Sequence, residues 1–198
     1  MNGYQQRTER KKESIRQAAL DLFNQYGVDK VSVGAVAQRA GVSHVTIYKY
    51  FGSKDGLVSD IVKTQFTSVL QRITDIVKSE RPFIEKLETI LLDKAQVSAN
   101  QYGELTRKAI AANPELRKFF ESVLRNDMPR LYLAILEDGV KAGFVDPNIP
   151  KETTLVYLYL LRAGAIADPD SWAKLHINEK SLRDFQNLVL YGLKGKGD

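Results

Sequence analysis

Ser32 to Lys54 reads SVGAVAQRAGVSHVTIYKYFGSK, and its punctuation predicts two short helices joined by a tight turn. Ser32 stands where a helix cap belongs, because its hydroxyl can accept a backbone N–H that a first turn leaves without a partner. Behind it Val33, Val36, Ala37 and Ala40 recur at helical spacing. Gly41 follows, and only glycine takes a left-handed backbone at no steric cost, so the chain can reverse there. Ser43 is a second cap, opening a helix that carries His44, Val45, Thr46, Ile47, Tyr48, Lys49, Tyr50 and Phe51. At about 100° per residue, Ile47 and Phe51 share one face while Val45, Thr46 and Lys49 point away from it. A short helix with an anchored apolar back and a polar, aromatic and cationic front is built to read a DNA groove. This is the layout of a helix-turn-helix.

The longer run AxRAGVSxxTIYKYFxSKxxL, across Ala37 to Leu57, resembles the DNA-binding half of the TetR family of bacterial repressors. Several independent features agree in spacing: Ala-Gly-Val-Ser at the turn, Thr-Ile-Tyr-x-Tyr-Phe in the helix, then Ser-Lys and Leu57. The likeness covers roughly residues 9 to 69. It implies an all-α chain (about nine helices), with a three-helix DNA-binding unit over 9–69, joined by a long helix to a larger helical body over 70–198. That body would hold a small-molecule effector and form a homodimer, and effector binding would spread the two reading heads.

Residue chemistry assigns roles at the head. His44, Val45 and Thr46 lie at the entry end of the second helix, where side chains reach base edges. His44 and Thr46 can donate or accept, and Val45 offers an apolar surface to a thymine methyl. Lys49 projects from mid-helix as a base or phosphate contact. Tyr48 and Tyr50 bond phosphates through their hydroxyls, and Lys54 does so at the start of the next helix. Ser32, Val33 and Gly34 present backbone N–H groups at a helix N-terminus, a ready anion site. Val36, Ala40, Ile47 and Phe51 are read as core, and Tyr48 divides between core and DNA.

Charge agrees with this placement. Residues 1–56 carry a net +4 and residues 57–198 only +1, so the basic excess sits with the reading head. There is no Cys, which removes disulfides and thiolate metal sites and fits a reducing cytoplasm. The N-terminus lacks the apolar core of a signal peptide, and no apolar run reaches the roughly 18 residues a membrane span needs. A soluble, cytoplasmic chain is expected.

Toward the N-terminus, residues 1–8 are polar and read as disordered. From about Thr8 or Glu9 a helix carries Ile15, Ala18, Ala19, Leu22, Phe23 and Tyr26 as one stripe, ended by Gly27. Arg7, Arg10, Lys11 and Lys12 at its start are phosphate contacts or a solvated tail. Toward the C-terminus, Ser53 caps a long helix to about Lys78, with Val62, Phe66, Val69, Ile73 and Ile76 stepping at helical spacing. It belongs to the DNA unit at one end and to the body at the other. Arg81-Pro82 is a break, and a helix from there runs to about Gln101. A shorter one covers Glu104 to Ala112, and Pro114 starts another in which Pro129 should introduce a kink. Gly143 ends it before the loop VDPNIP.

Thr153 to Ala167, TTLVYLYLLRAGAIA, is apolar on nearly every side, so as a helix it must bury two faces. The last helix, Glu179 to Gly192, has its own apolar stripe. Paired with their copies these two would form a four-helix bundle, as TetR-like proteins do. The interface is expected at Leu158, Leu161, Ala165, Leu182, Phe185, Leu188 and Val189. Ordinary core of a monomer is the other reading.

No catalytic constellation is visible. There are two His, at 44 and 176, no Cys and no Gly-rich phosphate loop, so neither an enzyme nor a metal or cofactor is expected. The Leu-, Phe- and Tyr-rich body points to a mostly apolar effector. Arg162 either pairs a ligand carboxylate, snorkels, or bridges to a partner subunit. The expected partners are therefore double-stranded DNA with a palindromic operator, a second copy of the chain and an unidentified small molecule. A helical carrier or interaction module that no longer reads DNA is the alternative.

Overall fold

The computed structural model describes residues 3–92, 103–168 and 179–193. Among them there are ten α-helices and no strand. In chain order they are α1 (Gly3–Tyr26), α2 (Val33–Ala40), α3 (His44–Phe51), α4 (Lys54–Lys78) and α5 (Phe83–Leu92). There follow α6 (Gly103–Ala112), α7 (Pro114–Ser122), α8 (Met128–Lys141), α9 (Lys151–Ala167) and α10 (Glu179–Leu193). The chain forms two compact units, one from residues 1–67 with 102–117, the other from 68–101 with 118–198.

In the first unit, α1 supplies Ile15, Ala18, Ala19, Leu20 and Phe23 to the interior. Leu20 is buried, whereas Leu22 is half-buried and Tyr26 is exposed, so the buried stripe is turned slightly from the expected one. The helix also starts at Gly3 rather than at Thr8 or Glu9. Tyr4, Gln5, Gln6 and Arg7 contain no breaker, and Gln and Arg are good helix formers, so the frame laid down by Ile15 propagates back. Opposite α1, Val36 and Ala37 of α2 and Ile47 of α3 are buried, with Leu57, Val58, Ile61 and Val62 from α4. Ala40 and Phe51, expected in the core, are half-buried at its edge.

An ion pair ties α1 to α4: Arg16 Nε donates to Asp60 Oδ2 at 2.7 Å, and its Nη1 reaches Glu13 at 3.0 Å. Burial works against the guanidinium's charge, but the hydrogen bonds it donates to Asp60 and Glu13, with their negative charge, outweigh it and the Arg16 pKa rises. This unit also contains α6 and the start of α7, which the sequence assigned to the body. Ala109 and Leu116 are buried, and Asn113 Nδ2 donates to Ser59 Oγ at 2.9 Å. The Asn113 carboxamide oxygen accepts from the N–H groups of Glu115 and Leu116, capping α7.

In the second unit, Val77, Phe83, Ile135, Leu136, Val145 and Val189 form the core, with Leu87, Leu131, Tyr157, Leu158, Leu161 and Phe185 packed around it. Gly139 is required there, since a Cβ would lie 2.7 Å from Val145 Cγ2 and 3.0 Å from the Phe83 ring. Lys86 is only 5% exposed; its ammonium donates to Val77 O at 2.9 Å, closing the last turn of α4, and pairs with Asp138. Between α7 and α8 the chain winds into a π-turn over Val123–Asp127, where Met128 N–H reaches back five residues to Val123 O. Pro129 accounts for it. A proline has no N–H, and its ring would strike the carbonyl of Arg125 in a regular helix, so the turn widens instead of simply bending. The helix expected to reach Gln101 is described only as far as Leu92, and the remainder of that expectation lies outside the described residues.

Candidate nucleic-acid interface

The two capping serines do what their positions suggest. Ser32 Oγ accepts from Ala35 N–H at 3.1 Å at the start of α2. Ser43 Oγ accepts from Thr46 N–H at 3.2 Å and lies 2.9 Å from Thr46 Oγ1, so the Thr46 hydroxyl is held against the first turn of α3. Each cap contributes about 1 kcal/mol to a helix of only eight residues, too short to persist alone. Between them Gly41 adopts φ 65, ψ 34, and Val42 N–H donates across the turn to Ala37 O at 3.0 Å. An L side chain at that φ would be strained.

The turn sets the face of α3. Ile47 is fully buried and contributes about 2 kcal/mol by leaving water. Ser43, His44, Val45, Tyr48 and Lys49 are exposed, Val45 at 65%, and Thr46 and Tyr50 are half-buried. Tyr48 is half exposed, which resolves its divided reading toward the outer face. A bare valine beside an exposed tyrosine and lysine is a costly arrangement in water and a useful one against stacked bases with methyl groups.

The C-terminal end of α3 is clamped to α4. Gly52 N–H donates to Tyr48 O, and Ser53 Oγ accepts from Gly56 N–H at 2.9 Å. Gly56 is the residue that sequence reading passed over. A Cβ there would sit 1.9 Å from Phe51 O, so only glycine lets the first turn of α4 meet the end of α3. Its position, three residues after the Ser53 cap, was the available signal. Lys54, half-buried, opens α4 beside this clamp.

At the other end of the motif, Ser32 and Gly34 are exposed and Val33 is half-buried. A Cβ on Gly34 would meet only Ser32 Oγ, at 3.7 Å. No neighbour among the described residues demands glycine at this helix N-terminus. Among the described residues there is no cluster of three His, Cys, Asp or Glu able to hold a metal, and no helix long and apolar enough to cross a membrane.

The residues expected at a subunit interface divide. Val189 is 5% exposed and fills the core of its own unit, and Leu158, Leu161 and Phe185 pack half-buried against that core. By helical period the stripe through Leu158 and Leu161 faces the core of its unit, and Val156, Tyr159 and Leu160 carry the outward face of α9. Leu188 of α10 is 69% exposed. The side chains of Ala165, Leu182 and Arg162 lie outside the described ones.

A buried back, two capped helix starts, a glycine turn and a polar outer face define a helix-turn-helix DNA-binding protein. Residues 15–61 match the model of the bacterial regulatory proteins of the tetR family. The uncharacterized HTH-type transcriptional regulator YhgD of Bacillus subtilis is 28% identical over 93% of this chain and 96% of its own length. Two solved structures share the fold. FadR of Bacillus subtilis, in complex with stearoyl-CoA, is 21% identical with a TM-score of 0.61, over 94% of this chain and 99% of that one. SmeT, in complex with triclosan, is 16% identical with a TM-score of 0.65, over 94% and 93%. Residues 15–61 therefore carry a DNA-binding domain of the tetR type, and the chain resembles HTH-type transcriptional regulators along nearly its whole length.

Proposed function

We propose that the chain is a homodimeric, ligand-responsive repressor of the cytoplasm that binds a near-palindromic operator. Residues 9–69 serve as its DNA-binding part and 70–198 as its effector and dimerisation part. The observation that carries this reading is the outer face of α3, where His44, Val45, Tyr48 and Lys49 stand exposed while Ile47 anchors the helix from behind. His44, Val45 and Thr46 read base edges, and Lys49 contacts a base or phosphate. Tyr48, Tyr50, Lys54 and the N–H groups of Val33 and Gly34 hold the backbone. The two copies join through the outward face of α9, with Val156, Tyr159 and Leu160, together with Leu188 of α10. An apolar helix face of this kind is closed by its own symmetry mate.

The effector is small and mostly apolar. Support comes from the body's Leu, Phe and Tyr content and from two proteins of the same fold, solved with stearoyl-CoA and with triclosan. Selection of duplexes from a randomised library by the full chain tests the DNA reading. It should enrich an inverted repeat whose half-sites lie about one helical turn, roughly 34–36 Å, or a multiple of it apart. Enrichment of nothing, or of a lone half-site, overturns it. An effector of the proposed class should weaken binding by about 5- to 150-fold, a coupling of about 1–3 kcal/mol.

A further inference from the structure

Three serines open helices in the first unit, and each does so with the same bond. Ser32 Oγ accepts from Ala35 N–H at 3.1 Å, Ser43 Oγ from Thr46 N–H at 3.2 Å, and Ser53 Oγ from Gly56 N–H at 2.9 Å. The residue three places on is alanine in the first case and glycine in the third, so capping asks for no polar side chain there. In the second case it is threonine, a poorer helix former than alanine, and its Oγ1 lies 2.9 Å from Ser43 Oγ. Nor does this hydroxyl bond back along its own helix in the common way. Thr67, Thr74, Thr89 and Thr154 each donate to the carbonyl four residues earlier. Thr46 meets the cap instead.

Two hydroxyls hold two protons, and the bond between them uses one. The other finds no acceptor among the described residues. The cap decides which proton is left over. Ser43 Oγ accepts an N–H from the positive end of α3, and a hydroxyl that accepts such a bond becomes a stronger donor. Its proton goes to Thr46 Oγ1, and the Thr46 O–H turns outward. The chain of donors begins at the N–H of Thr46 and ends at its hydroxyl, each link polarising the next.

We propose that Ser43 is a positioning residue that fixes Thr46 as a hydrogen-bond donor, so that Thr46 requires an acceptor on the base edge it faces. Purine N7, guanine O6 and thymine O4 satisfy it, whereas the amino groups of adenine and cytosine, themselves donors, do not. Ser43 thus sets specificity through Thr46. The inference deepens the base reading proposed above and rests on it.

The probe is the duplex that the full chain selects from a randomised library. On it the natural chain is compared with T46V, which keeps the shape and loses the hydroxyl, with S43G, since glycine weakens a cap only slightly, and with the two combined. Each single change should weaken binding by about 2- to 10-fold per half-site, the worth of one net hydrogen bond. The double variant should lose no more than T46V alone; losses that multiply overturn the positioning role, because Ser43 would then act without Thr46. T46S keeps the hydroxyl and should bind like the natural chain, and a loss equal to that of T46V would reduce Thr46 to packing. Duplexes lacking one acceptor each then locate the partner: purine analogues without N7 or O6, a thymine analogue without O4, and methylphosphonate linkages. One base analogue should weaken the natural chain to the level of T46V and leave T46V indifferent. Equal sensitivity of both proteins at every position overturns the donor, and a match at a methylphosphonate overturns the base contact in favour of the backbone. If the natural chain selects no duplex, the DNA-binding reading itself fails; a selected duplex that T46V binds undiminished defeats this inference alone.

Discussion

The outer face of α3 and the outer face of α9 both leave large side chains in water, yet they differ in kind. On α3, Val45 and Tyr48 are interleaved with His44 and Lys49. On α9, Val156, Tyr159 and Leu160 stand together, with only a phenol hydroxyl for water. Neither face is needed to fold its own unit, because Ile47 anchors α3 and Thr154, Leu158 and Leu161 turn α9 inward. The comparison teaches that the face proposed for a charged, hydrated polymer keeps its polar groups mixed in, while the one proposed for a second copy dispenses with them.

Three substitutions break or sharpen that contrast. The largest effect is expected from Leu160→Asp, which puts a carboxylate at the centre of the α9 face twice over in a symmetric pair. Light scattering should show a monomer, with dimer affinity lowered by about 4 kcal/mol or more; an undisturbed dimer would move the interface elsewhere. Next is Gly56→Ala, whose Cβ would collide with the Phe51 carbonyl. We expect about 2–3 kcal/mol lost from the denaturation midpoint, with DNA affinity falling as α3 is displaced and the dimer intact. The smallest is Lys49→Ala. It should cost about 1–2 kcal/mol in operator binding with no change in melting temperature or dimer mass, and loss of the dimer would contradict the division of labour.

Much of the head was legible because its signals are local. Ser32, Gly41 and Ser43 announce caps and a turn through chemistry contained in a few residues, and the structure shows the expected hydrogen bonds. The depth of Ile47 followed from period alone. Gly56 was not legible, because its requirement comes from the Phe51 carbonyl folding back against it. The origin of α1 was missed for a related reason: its polar start has no stripe, and helix there is an extension of order set by Ile15 further along.

The body was harder. The apolar character and length of α9 correctly implied a helix, but composition could not say which side met the core. Leu158 and Val189, expected at an interface, pack on the core of their own unit, with Val156, Tyr159 and Leu160 left outward. Likewise nothing local announces that Asn113 bonds to Ser59 or that Leu116 is buried in the first unit. Long-range pairings of that sort leave little local trace.

The widened turn at Val123–Asp127 makes the second unit depend on a residue count as much as on residue type. One surplus residue is stored there, and each residue of helix rotates the chain beyond it by about 100°. Excising one of the five would take up that slack and press the Pro129 ring against the carbonyl four residues before it, although every side chain of the wall at Ile135, Leu136 and Gly139 would be unaltered.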